Sequence, residues 1–176
     1  MRKNLYIWQL AGFTFTAVFG TILHFLYDWT NCPFLAAFSA VNESTWEHMK
    51  LLFFPMLIFA FIEYPFARTD YPSFWQIKLR GILLGLTLIP VLFYTLNGIF
   101  GATPDWVNIL TFFIAAGSAY YYETKCFQKD ATLPPSNASS LIILSLIAVF
   151  FILFTFIPPH IPLFQDPISS GYSFSR

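Results

Sequence analysis

The chain has 176 residues, of which 57% are apolar, 21% are aromatic and only 10% are charged. A soluble domain carries about 25% charged residues, so this chain cannot cover a water-facing surface. Its net charge is zero, and no basic stripe marks it as a nucleic-acid-binding protein. The composition therefore predicts an integral membrane protein that binds no nucleic acid.

Five apolar stretches approach the roughly 20 residues that a helix needs to cross a hydrocarbon core of about 30 Å. They cover residues 5–27, 49–64, 75–96, 106–122 and 139–157. Because every backbone group in lipid needs an internal partner, the stretches are predicted as helices of an all-α bundle, a single transmembrane domain over residues 1–176. The second stretch is short, and the segment from Asn42 is expected to lengthen it into one helix.

Two segments outside these stretches are expected to lie on the membrane surface. Residues 34–38 are too short to span and too apolar to stay in water, so they should lie in the interface or dip back into the bundle. The tail after Ile157 contains four prolines and should form an irregular flap: Pro158, Pro159, Pro162 and Pro167.

The distribution of basic residues predicts the orientation of the bundle. Seven of the nine Lys and Arg residues lie before the first stretch, or in or around alternate connections: Arg2, Lys3, Arg68, Lys78, Arg80, Lys125 and Lys129. Only Lys50 and Arg176 fall in the segments predicted on the opposite side of the membrane. The positive-inside rule then places the N-terminus in the cytoplasm and the C-terminus outside.

All three histidines are expected at the outer boundary, together with several acidic residues. His24 and Asp28 are four residues apart and share one helix face, and His48 begins the second stretch. Neutral imidazoles and carboxylates bind zinc, and a catalytic zinc has three protein ligands and one open position for water. The pattern predicts a divalent metal such as zinc, with His24, His48 and Asp28 as ligands.

Two glutamates near His48 are predicted as catalytic residues. Glu47 would act as a general base on the metal-bound water, and Glu43 would serve as a ligand or orient one. Other interpretations stay open for these residues. Ser44 and Glu47 match a capping box, in which Glu47 returns to the Ser44 amide. His24 fits a buried histidine that is hydrogen-bonded to Asp28 or to a carbonyl.

Several contacts within the bundle follow from spacing. Gly81 with Gly85, and Ala115 with Ala119, predict close helix packing. Glu63 is expected either to extend its carboxylate toward the membrane surface or to pair with Arg68, and Trp46 to anchor the interface. A small and polar stripe in the first stretch is expected to face the bundle: Thr14, Ala17, Thr21, His24 and Asp28.

These features favour an outward-facing, metal-dependent enzyme that acts on a lipid or lipid-linked substrate. The alternative is a transporter or an accessory membrane subunit that binds a cation, a proton or a partner at the same residues. Both interpretations are compatible with a homo-oligomer or with a partner membrane protein.

Three runs of sequence carry a resemblance to a known group. They are residues 20–24 (Gly-Thr-Ile-Leu-His), residues 42–48 (Asn-Glu-Ser-Thr-Trp-Glu-His) and residues 158–167. Across its whole length the chain resembles small bacterial multi-pass membrane proteins that are grouped only as a domain of unknown function. The resemblance implies a bacterial cytoplasmic membrane and brings no activity with it.

Overall fold

The computed structural model describes residues 2–101, 103–132 and 134–172, with the side chain of Asp105 outside the description. No strand occurs in these ranges. Short 3₁₀ turns at Arg2–Asn4 and Pro162–Phe164 flank the helices. In chain order the helices are α1 (Leu5–Thr30), α2 (Pro33–Ala36), α3 (Thr45–Ala67), α4 (Phe74–Phe100), α5 (Asp105–Gln128) and α6 (Asn137–Phe156).

Within the part of the chain that the structure describes, four helices are long and apolar enough to cross a membrane: α1, α3, α4 and α6. The all-helical architecture agrees with the predicted membrane bundle. α5 coincides with the fourth predicted stretch, but it does not reach the same apolarity. α3 begins at Thr45, so the short second stretch is lengthened as expected.

Side-chain caps fix where two of the helices begin. The Ser44 Oγ accepts a hydrogen bond of 3.3 Å from the Glu47 amide, and Ser136 accepts from the Ser139 amide at the start of α6. The other half of the predicted capping box is wrong. The Glu47 carboxylate accepts from the Val41 amide at 3.1 Å, because that carboxylate is already turned into the bundle toward Lys50.

α3 lies at the centre of the bundle, between α1, α4 and α6. The predicted close approach of small residues is confirmed where α4 meets α3 and α5. A Cβ on Gly85 would lie 3.0 Å from Leu52, and one on Gly81 would clash with Glu123. Ala115 and Ala119 of α5 are fully buried.

The stripe predicted to face the bundle from α1 is wrong at most of its positions, although its His24 does turn toward His48 of α3. Thr14 and Thr21 are exposed, and the buried face instead carries Leu5, Gln9, Gly12, Thr16 and Gly20. The reason is steric. Gly12 and Gly20 leave room for Tyr120 and for the Leu51 backbone, which a Cβ at either position would overlap.

The segments expected at the membrane surface are packed against the N-terminal half of α3. α2 exposes 72% of Phe34 but buries Ala36 completely. The tail is irregular as predicted, and its Phe164 ring lies 4.6 Å from the Trp46 ring. Trp46 therefore packs beneath the tail and against Phe151, a position that its interpretation as a free interface anchor did not foresee.

The long helices alternate in direction and share two ends. At the first end Arg2 contacts Asp70, in the connection from α3 to α4, and Asp130, in the connection from α5 to α6. We call this the basic end, and the opposite end, with His24 and His48, the histidine end. Lys50 and Lys78, which the positive-inside argument counted, are buried inside the bundle. They therefore do not indicate which end of the bundle faces the cytoplasm.

Candidate functional site

Three side chains from different elements meet at the histidine end. His24 lies near the end of α1, Glu43 in the connection that follows α2, and His48 in the first turn of α3. The Nε2 atoms of His24 and His48 are 3.6 Å and 3.4 Å from the same Glu43 oxygen, Oε2. One potential ligand atom from each residue lies within 4.8 Å of the other two.

A hydrogen bond to the backbone orients the His48 ring. Its Nδ1 lies 3.0 Å from the Ser44 carbonyl oxygen. A carbonyl can only accept, so Nδ1 carries the proton, and Nε2 of the neutral ring presents its lone pair toward Glu43. Metal-binding histidines are commonly held in this way, with the remote nitrogen donating to a carbonyl.

The spacing of the group fits a metal better than direct hydrogen bonds. An N–H···O hydrogen bond spans about 2.7–3.2 Å, and both Nε2 to Oε2 distances exceed that range, at 3.4 Å and 3.6 Å. Zinc binds nitrogen and oxygen at about 2.0–2.1 Å in a tetrahedron, whose ligands are about 3.4 Å apart. The distances from Glu43 therefore approximate two edges of such a tetrahedron.

The group is open to its surroundings. The side chains are 29%, 21% and 40% exposed for His24, His48 and Glu43 respectively. A narrow and mostly apolar cleft between α3, α4 and α5 reaches His48, with Ile89, Phe93 and Phe112 among its lining residues. Three potential ligand side chains that are partly exposed resemble the open arrangement of catalytic zinc sites more than that of closed structural sites.

The structure brings together some of the predicted site residues and separates others. Glu43 joins the two histidines, whereas Asp28, predicted as a ligand, lies one helical turn beyond His24 and is not part of the group. His160 lies in the tail, where its ring contacts Tyr172. The role of Asp28 as a ligand stays a prediction.

Glu47, predicted as the general base, is buried in a different contact. It is 2% exposed, and its Oε2 lies 2.6 Å from Lys50 Nζ. Lys50 also donates to the Ala36 carbonyl and to Thr155 Oγ1. This network ties α2 and α6 to α3, so its geometry supports a structural role and gives the base role no support.

Sequence reasoning missed a second charged cluster, which we call the carboxylate–lysine triad: Glu63, Lys78 and Glu123. The Lys78 Nζ lies 2.6 Å from Glu63 Oε2 and 2.6 Å from Glu123 Oε2. The predicted pairing of Glu63 with Arg68 is wrong because Glu63 points into the bundle, where its exposure is 0%. A signal was available, since the three residues occupy similar depths in neighbouring antiparallel helices.

Comparison with known proteins gives a family and no activity. No curated protein and no solved structure matches the chain. A family model matches residues 1–174, nearly the whole sequence. The expectation of a family without established function is thereby confirmed, and the chain belongs to the family of unknown function (DUF6512).

Proposed function

We propose that this protein is a multi-pass membrane metalloenzyme that binds a divalent metal such as zinc through His24, His48 and Glu43. One observation carries the proposal. Two imidazole Nε2 atoms converge on a single carboxylate oxygen at 3.4 Å and 3.6 Å, and the far side of the His48 ring is tied to a carbonyl. Without a metal, the His48 Nε2 lone pair would face the Glu43 carboxylate at 3.4 Å with no proton between them.

The proposed topology has five crossings, with α5 as the fourth in chain order. Support comes from the alternating directions of the long helices, which place Arg2, Asp70 and Asp130 together at the basic end. The basic residues that remain exposed favour a cytoplasmic N-terminus, and hence an outer histidine end in a bacterial cytoplasmic membrane. Arg176, at the opposite terminus, lies outside the described residues.

The proposed chemistry is hydrolysis of a lipid or lipid-linked substrate. A zinc ion with three protein ligands lowers the pKa of its bound water to near 7 and polarises a substrate oxygen. The narrow apolar cleft beside His48 would border the apolar part of the substrate next to the metal. We assign Asp28, one turn from His24, either to a fourth ligand position or to the base that accepts the water proton.

Metal content tests the proposal directly. Protein purified in detergent and loaded with zinc should retain about one ion per chain after desalting, because the site would be assembled in the folded state. His24→Ala and His48→Ala should lose this ion, whereas His160→Ala, which removes a histidine outside the group, should keep it. Equal zinc content in all four proteins, or none in any, contradicts the proposal.

Turnover separates an enzyme from a transporter. Zinc-loaded protein should convert a component of a bacterial lipid extract, as detected by mass spectrometry, and His48→Ala should not. Zinc flux into liposomes without any lipid conversion would instead favour a transporter that uses the same three residues.

A further inference from the structure

The carboxylate–lysine triad is one of the most deeply buried polar features of the described chain. Glu63 of α3, Lys78 of α4 and Glu123 of α5 are 0%, 1% and 0% exposed. Each carboxylate places its Oε2 2.6 Å from the single ammonium group. The site lies toward the basic end, on the far side of the bundle from His24 and His48.

The charges of the triad do not balance. Lys78 supplies one positive charge and the two glutamates supply two negative charges when ionised. Two tyrosines also face the triad, Tyr120 of α5 and, beside Glu63, Tyr71. α1 contributes uncharged Gln9 and Thr16. An uncompensated charge in a buried membrane site is strongly disfavoured. The described residues thus leave one negative charge to be neutralised.

Hydrogen bonding distinguishes the two carboxylates. The Glu63 Oε1 accepts from the Gln9 amide at 3.0 Å, in addition to its contact with Lys78. Among the described residues, Glu63 Oε2 and Glu123 Oε1 are both buried without a hydrogen-bond partner, but Glu63 Oε2 lies 2.6 Å from the Lys78 ammonium group, whereas Glu123 meets Lys78 through its other oxygen. Donated hydrogen bonds favour the ionised form of a carboxyl group. Glu63 is therefore better suited to stay ionised, and Glu123 to carry a proton on its unpartnered oxygen.

An aromatic layer separates the triad from the basic end. The Lys78 Nζ lies 5.6 Å from the Phe74 ring centre and 5.7 Å from that of Phe127. The Tyr71 ring packs 4.7 Å from Phe127 and also lines a polar cleft at the basic end, beside Arg2. The layer therefore stands between the triad and the cleft.

We propose that the triad is a buried proton-binding site in which Glu123 holds one proton, exchanged with the basic end through the Tyr71, Phe74 and Phe127 layer. Binding balances the charge, with one carboxylic acid, one carboxylate and one ammonium group. Release leaves a net negative site, which links the protonation state to the packing of α3, α4 and α5. The inference does not depend on the metal site at the other end.

Infrared spectroscopy of the full-length protein in lipid nanodiscs at pH 7 tests this proposal. The wild type should show the C=O stretching band of a buried carboxylic acid, shifted in heavy water. Glu123→Gln should lose the band because it removes the acid. Glu63→Gln should lose it as well, because Glu123 then pairs one to one with Lys78 and ionises.

Glu47→Gln is the matched control. Glu47 is equally buried but already forms a one-to-one pair with Lys50, so its replacement should leave the band in place. Phe127→Ala should speed deuteration of the acid, and Phe151→Ala, which alters an equally buried ring away from the layer, should not. The absence of an acid band in the wild type overturns the proposal. A band that appears only after sodium is removed also overturns it, because a sodium ion rather than a proton would then balance the charge.

Discussion

Replacement of Lys78 by methionine is expected to lower the free energy of unfolding at pH 7 by about 3–5 kcal/mol, the usual cost of removing one partner from a buried ion pair. The charge count gives a similar value. Without the lysine charge, Glu63 must be protonated in the folded state, as Glu123 already is. Protonating a glutamate of ordinary pKa, about 4.3, costs about 3.7 kcal/mol at pH 7. Unfolding of the detergent-solubilised protein by denaturant measures the loss.

The pH dependence of this variant has a definite sign. Above pH 4.3 its folded state binds two more protons than its unfolded state, one on Glu123 and one on Glu63, against one in the wild type, so its stability falls more steeply as the pH rises and recovers toward acidic pH. Lys129→Met, at an exposed lysine, should change stability by no more than about 0.5 kcal/mol. Adding Glu63→Gln and Glu123→Gln to Lys78→Met should restore most of the loss. A loss of equal size in that triple variant would refute the electrostatic explanation.

Zinc is expected to stabilise the folded protein by about 2.7 kcal/mol when its free concentration is 100 times the dissociation constant. The ion would join α1, through His24, to α3, through His48, and so favour the folded state. Thermal unfolding with and without zinc measures the shift. His160→Ala should respond as the wild type does, whereas the double variant His24→Ala/His48→Ala should not respond. Full zinc stabilisation of the double variant would show that the ion binds elsewhere.

The sequence predicted the architecture well because lipid imposes simple requirements on length and apolarity. The five predicted stretches coincide with the five long helices, and the glycine and alanine pairs in α4 and α5 mark real close contacts. The predicted face of α1 was wrong. Its buried residues are set by where Tyr120 and Leu51 can approach a glycine, which depends on neighbouring helices rather than on the helix itself.

The candidate site was predicted in part. His24 and His48 could be identified as neighbours, since consecutive antiparallel helices meet at the same boundary. Glu43 and Asp28 could not be ranked, because Glu43 lies in an irregular connection whose path no periodicity reveals. Glu47 was assigned to the site because it adjoins His48 in sequence, but adjacent residues on a helix point in different directions, and Glu47 points to Lys50.

The carboxylate–lysine triad shows what pairwise reasoning along the chain overlooks. Glu63 was matched with Arg68 because the two are near in sequence, and Lys78 was treated as a loop charge. Their real partners lie on other helices at similar depth, where Lys78 contacts Glu63 and Glu123 at 2.6 Å each. Ionisable residues at matching depths in neighbouring stretches are therefore a better guide to pairing than sequence distance.

X-ray absorption spectroscopy of the zinc-loaded protein tests the central claim most directly. The account predicts zinc bound by two imidazoles and by oxygen at about 2.0–2.1 Å, in a four-coordinate site, with the imidazole scattering lost in His24→Ala/His48→Ala. A sulfur ligand, or a spectrum of zinc surrounded by water alone, would contradict the assignment of His24, Glu43 and His48 as a metal site.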